Sequence, residues 1–131
     1  MREISNINAF ITGGVSGLGL ATAKCIIEGG GKVCLVDINA IEGEKVSQSL
    51  GDNAFFVSTD VTDEKNVDNA VAKAIEKFGA INLLVNCAGI APSQRVLAKD
   101  GLMPTADFTK VVSINLNSTF CVCRSVVNAM L

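Results

Sequence analysis

Four short apolar runs, Asn8–Thr12, Lys32–Asp37, Ala54–Ser58 and Asn82–Asn86, alternate with helix-length patterns, and this alternation limits the folds open to the chain. Each run is nearly continuous rather than alternating in polarity, as strands are when both faces of a sheet are covered. Between them, Leu18–Glu28 is stopped by Gly29, Gly30 and Gly31, and Ile41–Leu50 ends at Gly51. Glu64–Phe78 carries Val67, Val71, Ala74, Ile75 and Phe78 on one stripe before Gly79. Thr62 or Asp63 is placed to cap that helix. Strands and helices joined by short connections predict a right-handed βαβ series and a doubly wound parallel α/β sheet. At 131 residues the chain is one domain at most.

The connection from Cys87 to about Thr105 is long, and Pro92, Gly101 and Pro104 break it. Loops of that length are more often functional than idle. A last helix is expected from about Asp107 onward. Its main apolar stripe is Phe108, Val111, Val112, Leu116, Phe120, Cys123, Val127 and Met130, with Ile114, Val122 and Val126 as a second flank. A helix apolar on two sides wants two partners. The expectation is therefore an incomplete sheet, with nothing behind the last helix to cover its second half. No internal repeat or low-complexity segment is found.

Composition removes several classes of function. The net charge is -2, and tryptophan and tyrosine are absent. A nucleic-acid surface would want clustered Lys and Arg with stacking aromatics, so no nucleic-acid partner is expected. Although 49% of residues are hydrophobic, no uninterrupted run approaches the ~18 needed to span a membrane. Met1 to Phe10 lacks a basic region followed by an apolar stretch, so no secretory signal is read. The five cysteines are odd in number and form no CxxC pair. Four of them sit in apolar patterns and read as small buried hydrophobes. A reduced, cytoplasmic setting follows, and a mitochondrial one only if a targeting segment lies upstream. Histidine is absent, which excludes His-ligated zinc and any His-based triad, and no metal site is expected.

The first strand runs into Thr12-Gly13-Gly14-Val15-Ser16-Gly17-Leu18-Gly19. A chain that must turn sharply, bring backbone N–H groups against a diphosphate and start a helix close to a sheet needs glycine at each step. The helix N-terminus adds partial positive charge. Gly13, Gly17 and Gly19 give GxxxGxG, neither GxGxxG nor a P-loop, since no Lys follows. Asp37 ends the second strand, where a carboxylate accepts hydrogen bonds from both hydroxyls of an adenosine ribose. It would repel a 2′-phosphate, and no Arg or Lys lies in Gly13–Gly19 or directly after Asp37. These residues predict a Rossmann-type three-layer αβα unit that binds NAD rather than NADP. A methyltransferase using S-adenosylmethionine shares the Gly-rich turn and the acidic residue, and at this point stays open.

Asp60-Val61 follows the third strand, and Asn86-Cys87-Ala88-Gly89 follows the fourth. With the Thr12–Gly19 turn and Asn115 in the last helix, this ordered set resembles the short-chain dehydrogenase/reductase family throughout the chain, and it disfavours the methyltransferase. The resemblance implies that Gly13, Ser16, Gly17, Leu18 and Gly19 line the pyrophosphate turn and Asp37 holds the adenosine ribose. It implies that Asp60 hydrogen-bonds the adenine amino group, with the Val61 backbone beside it. Asn86, Cys87, Ala88 and Gly89 would support the sheet and border the cofactor riboses, Cys87 standing where Asn is common. Asn115 would match the family's catalytic-tetrad asparagine, whose helix is interrupted so that a backbone carbonyl holds a water in the proton relay. The Thr12–Ala23 and Asn86–Ala91 runs and the lengthened loop after them resemble the type 2 3-hydroxyacyl-CoA dehydrogenase subgroup. That likeness implies a small-molecule substrate of the acyl-CoA kind, with Arg95 and Lys99 near the mouth of its site.

In the family a tyrosine moves the hydroxyl proton, a lysine four residues later lowers its pKa, and a serine orients the substrate oxygen. All three lie beyond the last helix read here. The expectation is that residues 1–131 are the NAD-binding N-terminal part of one dehydrogenase domain, with its catalytic C-terminal half absent. Such a piece would associate with itself or with a complementing C-terminal fragment, and it would not turn over alone. The alternative is a non-catalytic NAD-binding module.

Overall fold

The computed structural model describes residues 3–131; Met1 and Arg2, where the expectation of no leader begins, lie outside the described residues. Four strands, β1 (Asn8–Thr12), β2 (Lys32–Asp37), β3 (Ala54–Ser58) and β4 (Leu83–Asn86), form one parallel sheet in the order β3-β2-β1-β4. Helices α1 (Gly17–Glu28), α2 (Ala40–Leu50) and α3 (Glu64–Phe78) make the crossovers. The fold is the Rossmann-like three-layer arrangement read from the sequence.

Period-two alternation divides the core. Ala9 and Ile11 of β1, with Val33 and Leu35 of β2, pack under α1 and α2 against Ala23, Ile26 and Val46. Phe10, Cys34, Val36 and Val57 point to the other face and meet Val67, Ala70, Val71 and Ala74 of α3. Phe10, Ile11, Val33 and Leu35 are fully buried, each contributing about 1.5–3 kcal/mol by removal from water. Because both faces are covered, the strands read as continuous apolar runs. Of the two candidates, Asp63 is the residue that caps α3: its Oδ1 accepts the N–H groups of Lys65 and Asn66 at 2.9 and 3.2 Å.

Strand β4 begins at Leu83, one residue later than the apolar run suggested. The Asn82 side chain is spent as a tie. Its Oδ1 accepts the Asn8 N–H at 2.9 Å, and its amide donates to the Asn6 carbonyl at 2.7 Å. The long connection is not structureless either. A two-residue hairpin, β5 (Leu97–Ala98) with β6 (Gly101–Leu102), forms within it, and Gln94 donates to Asp107 at 2.9 Å across its base.

The last helix is interrupted around Asn115. It runs as α4 (Thr105–Val112), one turn of π-helix (Ser113–Asn117) and α5 (Ser118–Met130). Its buried side holds Val122 and Val126 of the second flank, joined by Ser118, which face the sheet and α3, while Ile114 of that flank is half-buried. Most of the main stripe faces outward, with Phe108 62%, Leu116 65%, Phe120 71% and Val127 51% exposed, while Val111, Val112 and Cys123 are half-buried. Arg124 pairs with Glu64, and Ser125 donates to Asp68 at 2.7 Å, fixing α5 along α3. The cysteines also depart from the reading. Cys34 alone is buried; Cys25 is exposed, Cys87, Cys121 and Cys123 are half-buried, and all five are free. Among the described residues no helix is long and apolar enough to cross a membrane.

Two outcomes are expected. Val126→Ala should cost about 1–3 kcal/mol of unfolding free energy while Val127→Ala stays within about 0.5 kcal/mol, measured by denaturant titration; equal costs would restore the outward stripe to the core. Burial pushes the Cys34 thiol far above its ordinary range, and only the thiolate is nucleophilic. An alkylating reagent at mildly alkaline pH should therefore label Cys25 in the native chain and Cys34 only after denaturation, as read by peptide mass mapping.

Candidate functional site

All four strands of the parallel sheet deliver their C-terminal ends to one edge, where Thr12, Asp37, Thr59 and Cys87 leave the sheet. A cleft of about 400 Å³ opens there, within the range of small-molecule sites. Eleven of the residues singled out by sequence line it: Gly13, Ser16, Gly17, Leu18 and Gly19 from the first turn, Asp37, then Asp60 and Val61, then Cys87, Ala88 and Gly89. Asn86 and Asn115 do not line it. Ile38, Thr59, Thr62, Ile90 and Ile114 also do, and sequence reasoning missed them as site residues.

The turn after β1 is locked to its neighbours. Gly14 donates its N–H to the Val36 carbonyl at 3.3 Å, holding the turn beside β2. At Gly13, with φ 62°, a Cβ would stand 2.7 Å from the Cys87 carbonyl carbon, so only glycine lets the exit of β4 pack here. Gly17, at φ 52°, differs: a Cβ there would meet nothing within 4 Å, so its smallness leaves room in the cleft rather than in the core. Ser16 is the N-cap of α1 in extended backbone, makes no side-chain cap bond, and no acid occupies the first helical turn. The unpartnered N–H groups and partial positive charge of the helix start are thus unopposed.

Two carboxylates face this turn from the next two strand exits. Asp37 Oδ1 accepts the Asn39 N–H at 3.1 Å, and Asn39 in turn caps α2 by accepting from Glu42 N–H at 3.1 Å. Asp60 Oδ1 accepts both the Thr62 hydroxyl at 2.6 Å and the Thr62 N–H at 2.9 Å. The hydroxyl bond first, and the backbone bond second, hold the Asp60 carboxyl below its ordinary value against a small opposing effect of burial. Asp60 is therefore a pure hydrogen-bond acceptor at neutral pH.

The fourth exit is organised by Thr12. Its side-chain oxygen accepts the N–H groups of Cys87 and Ala88, each at 3.2 Å, while its carbonyl accepts the Cys87 N–H at 3.1 Å. Asn86 points elsewhere, donating to Cys123 Sγ at 3.4 Å on α5. The next link is Asn115, in the π turn. Its Oδ1 accepts the Ile90 N–H at 2.8 Å and its amide donates to the Ile90 carbonyl at 2.7 Å. Asn115 is exposed yet doubly bonded, so the polar group needed a partner but not a buried one. Its own carbonyl accepts the Thr119 hydroxyl at 2.9 Å. Thr12 and Thr62 carried a faint signal, each being a hydroxyl at the end of an apolar or acidic strand exit. Ile38, Ile90 and Ile114 carried none, because an aliphatic residue beside a motif reads as core.

The sequence model of the short chain dehydrogenase family matches residues 8–131. Rat 3-hydroxyacyl-CoA dehydrogenase type-2 is 42% identical over 132 residues, covering 99% of this chain and 51% of the relative. The human protein of the same name is 42% identical over 131 residues, covering 98% and 50%. The chain thus spans about half the length of the curated relatives it matches. A solved structure of 3-ketoacyl-(acyl-carrier-protein) reductase from Brucella melitensis, complexed with NADH, superposes with TM-score 0.87 at 32% identity, covering 96% of this chain and 51% of that one. With its sheet order, its glycine turn and a family match across nearly its whole length, the chain belongs to the short chain dehydrogenase family.

Proposed function

We propose that this chain holds NAD(H) in the cleft at the sheet's C-terminal edge, as the cofactor-binding part of an oxidoreductase acting on CH–OH groups. The observation that carries the reading is that Asp37 and the Gly13–Gly19 turn line one cavity. A dinucleotide joins a diphosphate to a ribose diol, and the cleft offers a helix start with open space at Gly17 for the first and a carboxylate for the second. None of the lining residues is Lys or Arg, which suits a free 2′-hydroxyl and not a 2′-phosphate. NAD is the cofactor favoured over NADP.

On this reading Ser16 to Gly19 hold the pyrophosphate, Asp37 the adenosine ribose, and Asp60 with the Val61 backbone the adenine. Cys87 to Gly89 border the riboses, and Asn86 braces β4 against α5. Asn115 acts as a positioning residue, because its amide fixes Ile90 at the cleft wall. Bound NAD supplies a hydride acceptor at its nicotinamide ring. Residues 1–131 form part of a single domain, and the names of the relatives favour a 3-hydroxyacyl-CoA as substrate. The outward apolar stripe of α4 and α5 suits burial against a second polypeptide, either another copy or a complementing segment. Five free cysteines suit a reducing, cytoplasmic compartment.

The test is a binding titration with NAD and NADP. The unaltered chain should bind NAD more tightly, and Asp37→Ala should weaken NAD by about tenfold or more, the loss expected for a charge-assisted hydrogen bond. Tighter NADP binding, or an Asp37→Ala chain with unchanged affinity, would overturn the reading. Turnover of a hydroxyacyl thioester on adding a complementing C-terminal segment of a relative would support the dehydrogenase reading, and its failure with NAD bound would favour a non-catalytic binding role.

A further inference from the structure

Thr62 reads from sequence as a candidate helix cap, but Asp63 holds that position. Thr62 instead directs both of its donors, the hydroxyl and the backbone N–H, to a single oxygen of Asp60. The backbone bond alone would close the turn. The hydroxyl bond adds a second anchor to the same Oδ1, while among the described residues no donor reaches Oδ2. Beneath them the Asp60 carbonyl accepts the Asp63 N–H at 3.1 Å, and Asp63 is itself tied to the first turn of α3. The carboxylate therefore sits on a closed turn braced by a helix. Asp60 and Thr62 both line the cleft, with Ile38 and Ile114 beside them.

We propose that Thr62 is a positioning residue for base selection: by occupying Oδ1 of Asp60 it reserves Oδ2 as a fixed, charged acceptor that takes a 6-aminopurine and rejects a 6-oxopurine. The proposal rests on the cleft being a dinucleotide site. An ionised carboxylate has no proton to give. An exocyclic amine satisfies it, whereas a carbonyl at the same ring position sets acceptor against acceptor and leaves both unpaired. The lowered pKa of Asp60 keeps the group in its ionised form at neutral pH. Without the hydroxyl the carboxylate would keep one tie, and its plane would be free to rock toward water or toward a base that offers a different edge.

Affinities for NAD and for nicotinamide hypoxanthine dinucleotide, whose purines differ in the 6-amino against the 6-oxo group and in the proton the latter carries at N1, measure the selection directly. The unaltered chain should prefer NAD by about tenfold or more, the size of one charged hydrogen bond. Thr62→Val, which keeps shape and backbone but loses the hydroxyl, should narrow the preference by about threefold or more. Thr62→Ser should restore it. Asp60→Asn, able to donate as well as accept, should nearly abolish it. Asp37→Ala should weaken both dinucleotides together and leave their ratio alone, since the ribose is common to them. A Thr62→Val chain that binds NAD with an unchanged ratio overturns the role given to Thr62 while sparing the dinucleotide reading. An unaltered chain that binds neither dinucleotide overturns both. A merely structural role for the hydroxyl would lower stability or weaken both ligands alike, and would not move the ratio.

Discussion

In a parallel sheet every strand must finish at the same edge, because each crossover returns the chain to its starting side before the next strand begins. That constraint governs the rest of this molecule. Thr12, Asp37, Asp60 and Cys87 are spread through the sequence, yet the order β3-β2-β1-β4 brings them to one rim. The buried alternation of β1 and β2 keeps the rim in register. Sliding one strand by a single residue would exchange Phe10 for Ile11 between the two faces of the core and carry the glycine turn away from Asp37. The packing of the two apolar clusters and the geometry of the cleft are therefore one property.

Most of this was legible in the sequence because the signals were of the kind that period and composition encode. The strands over Asn8–Thr12, Lys32–Asp37 and Ala54–Ser58 and the helix over Glu64–Phe78 have the limits their apolar runs indicate. The glycine turn and the two carboxylates stood at strand exits, where chemistry is read most easily. The helical end of the chain was less legible for a definite reason. A helix apolar on two sides does not say which side meets the sheet, and the pattern left that choice open. The inward face is Ser118, Val122 and Val126, small residues that let α5 approach α3 and β4 closely. The larger Phe120 and Leu116 face out. A π turn leaves no clear periodic trace here either, since the helix is apolar on two sides and a shifted phase still lands on apolar residues. Strands of two residues, as in the Leu97–Leu102 hairpin, are too short to carry a pattern. A half-buried cysteine such as Cys123 reads as core because neighbouring residues are apolar, although it accepts a hydrogen bond from Asn86.

The family match and the structure reinforce each other at different scales. The match over residues 8–131 and the superposition on a reductase structure rest on the whole sheet. The site rests on a few hydrogen bonds that neither comparison describes, those of Thr12 to the Cys87 and Ala88 amides and of Thr62 to Asp60. Hydroxyls at strand exits do the joining in both places. Each accepts or donates over a short reach, and each turns a flexible exit into a fixed wall.

The Asn115 side chain makes a further point about such walls. Its amide offers one donor and one acceptor in the plane of a peptide group, and Ile90 answers with the complementary pair. At that spot the side chain serves as a detached piece of backbone, giving the chain beyond β4 the kind of partner a neighbouring strand would give. The widened π turn sets this surrogate peptide at the level of Ile90, and an ionised carboxylate in its place would return no hydrogen to the Ile90 carbonyl. Two hydrogen bonds thereby tie Ile90 to the π turn. The cleft wall at Ile90 is thus fastened by the chain's own side chain.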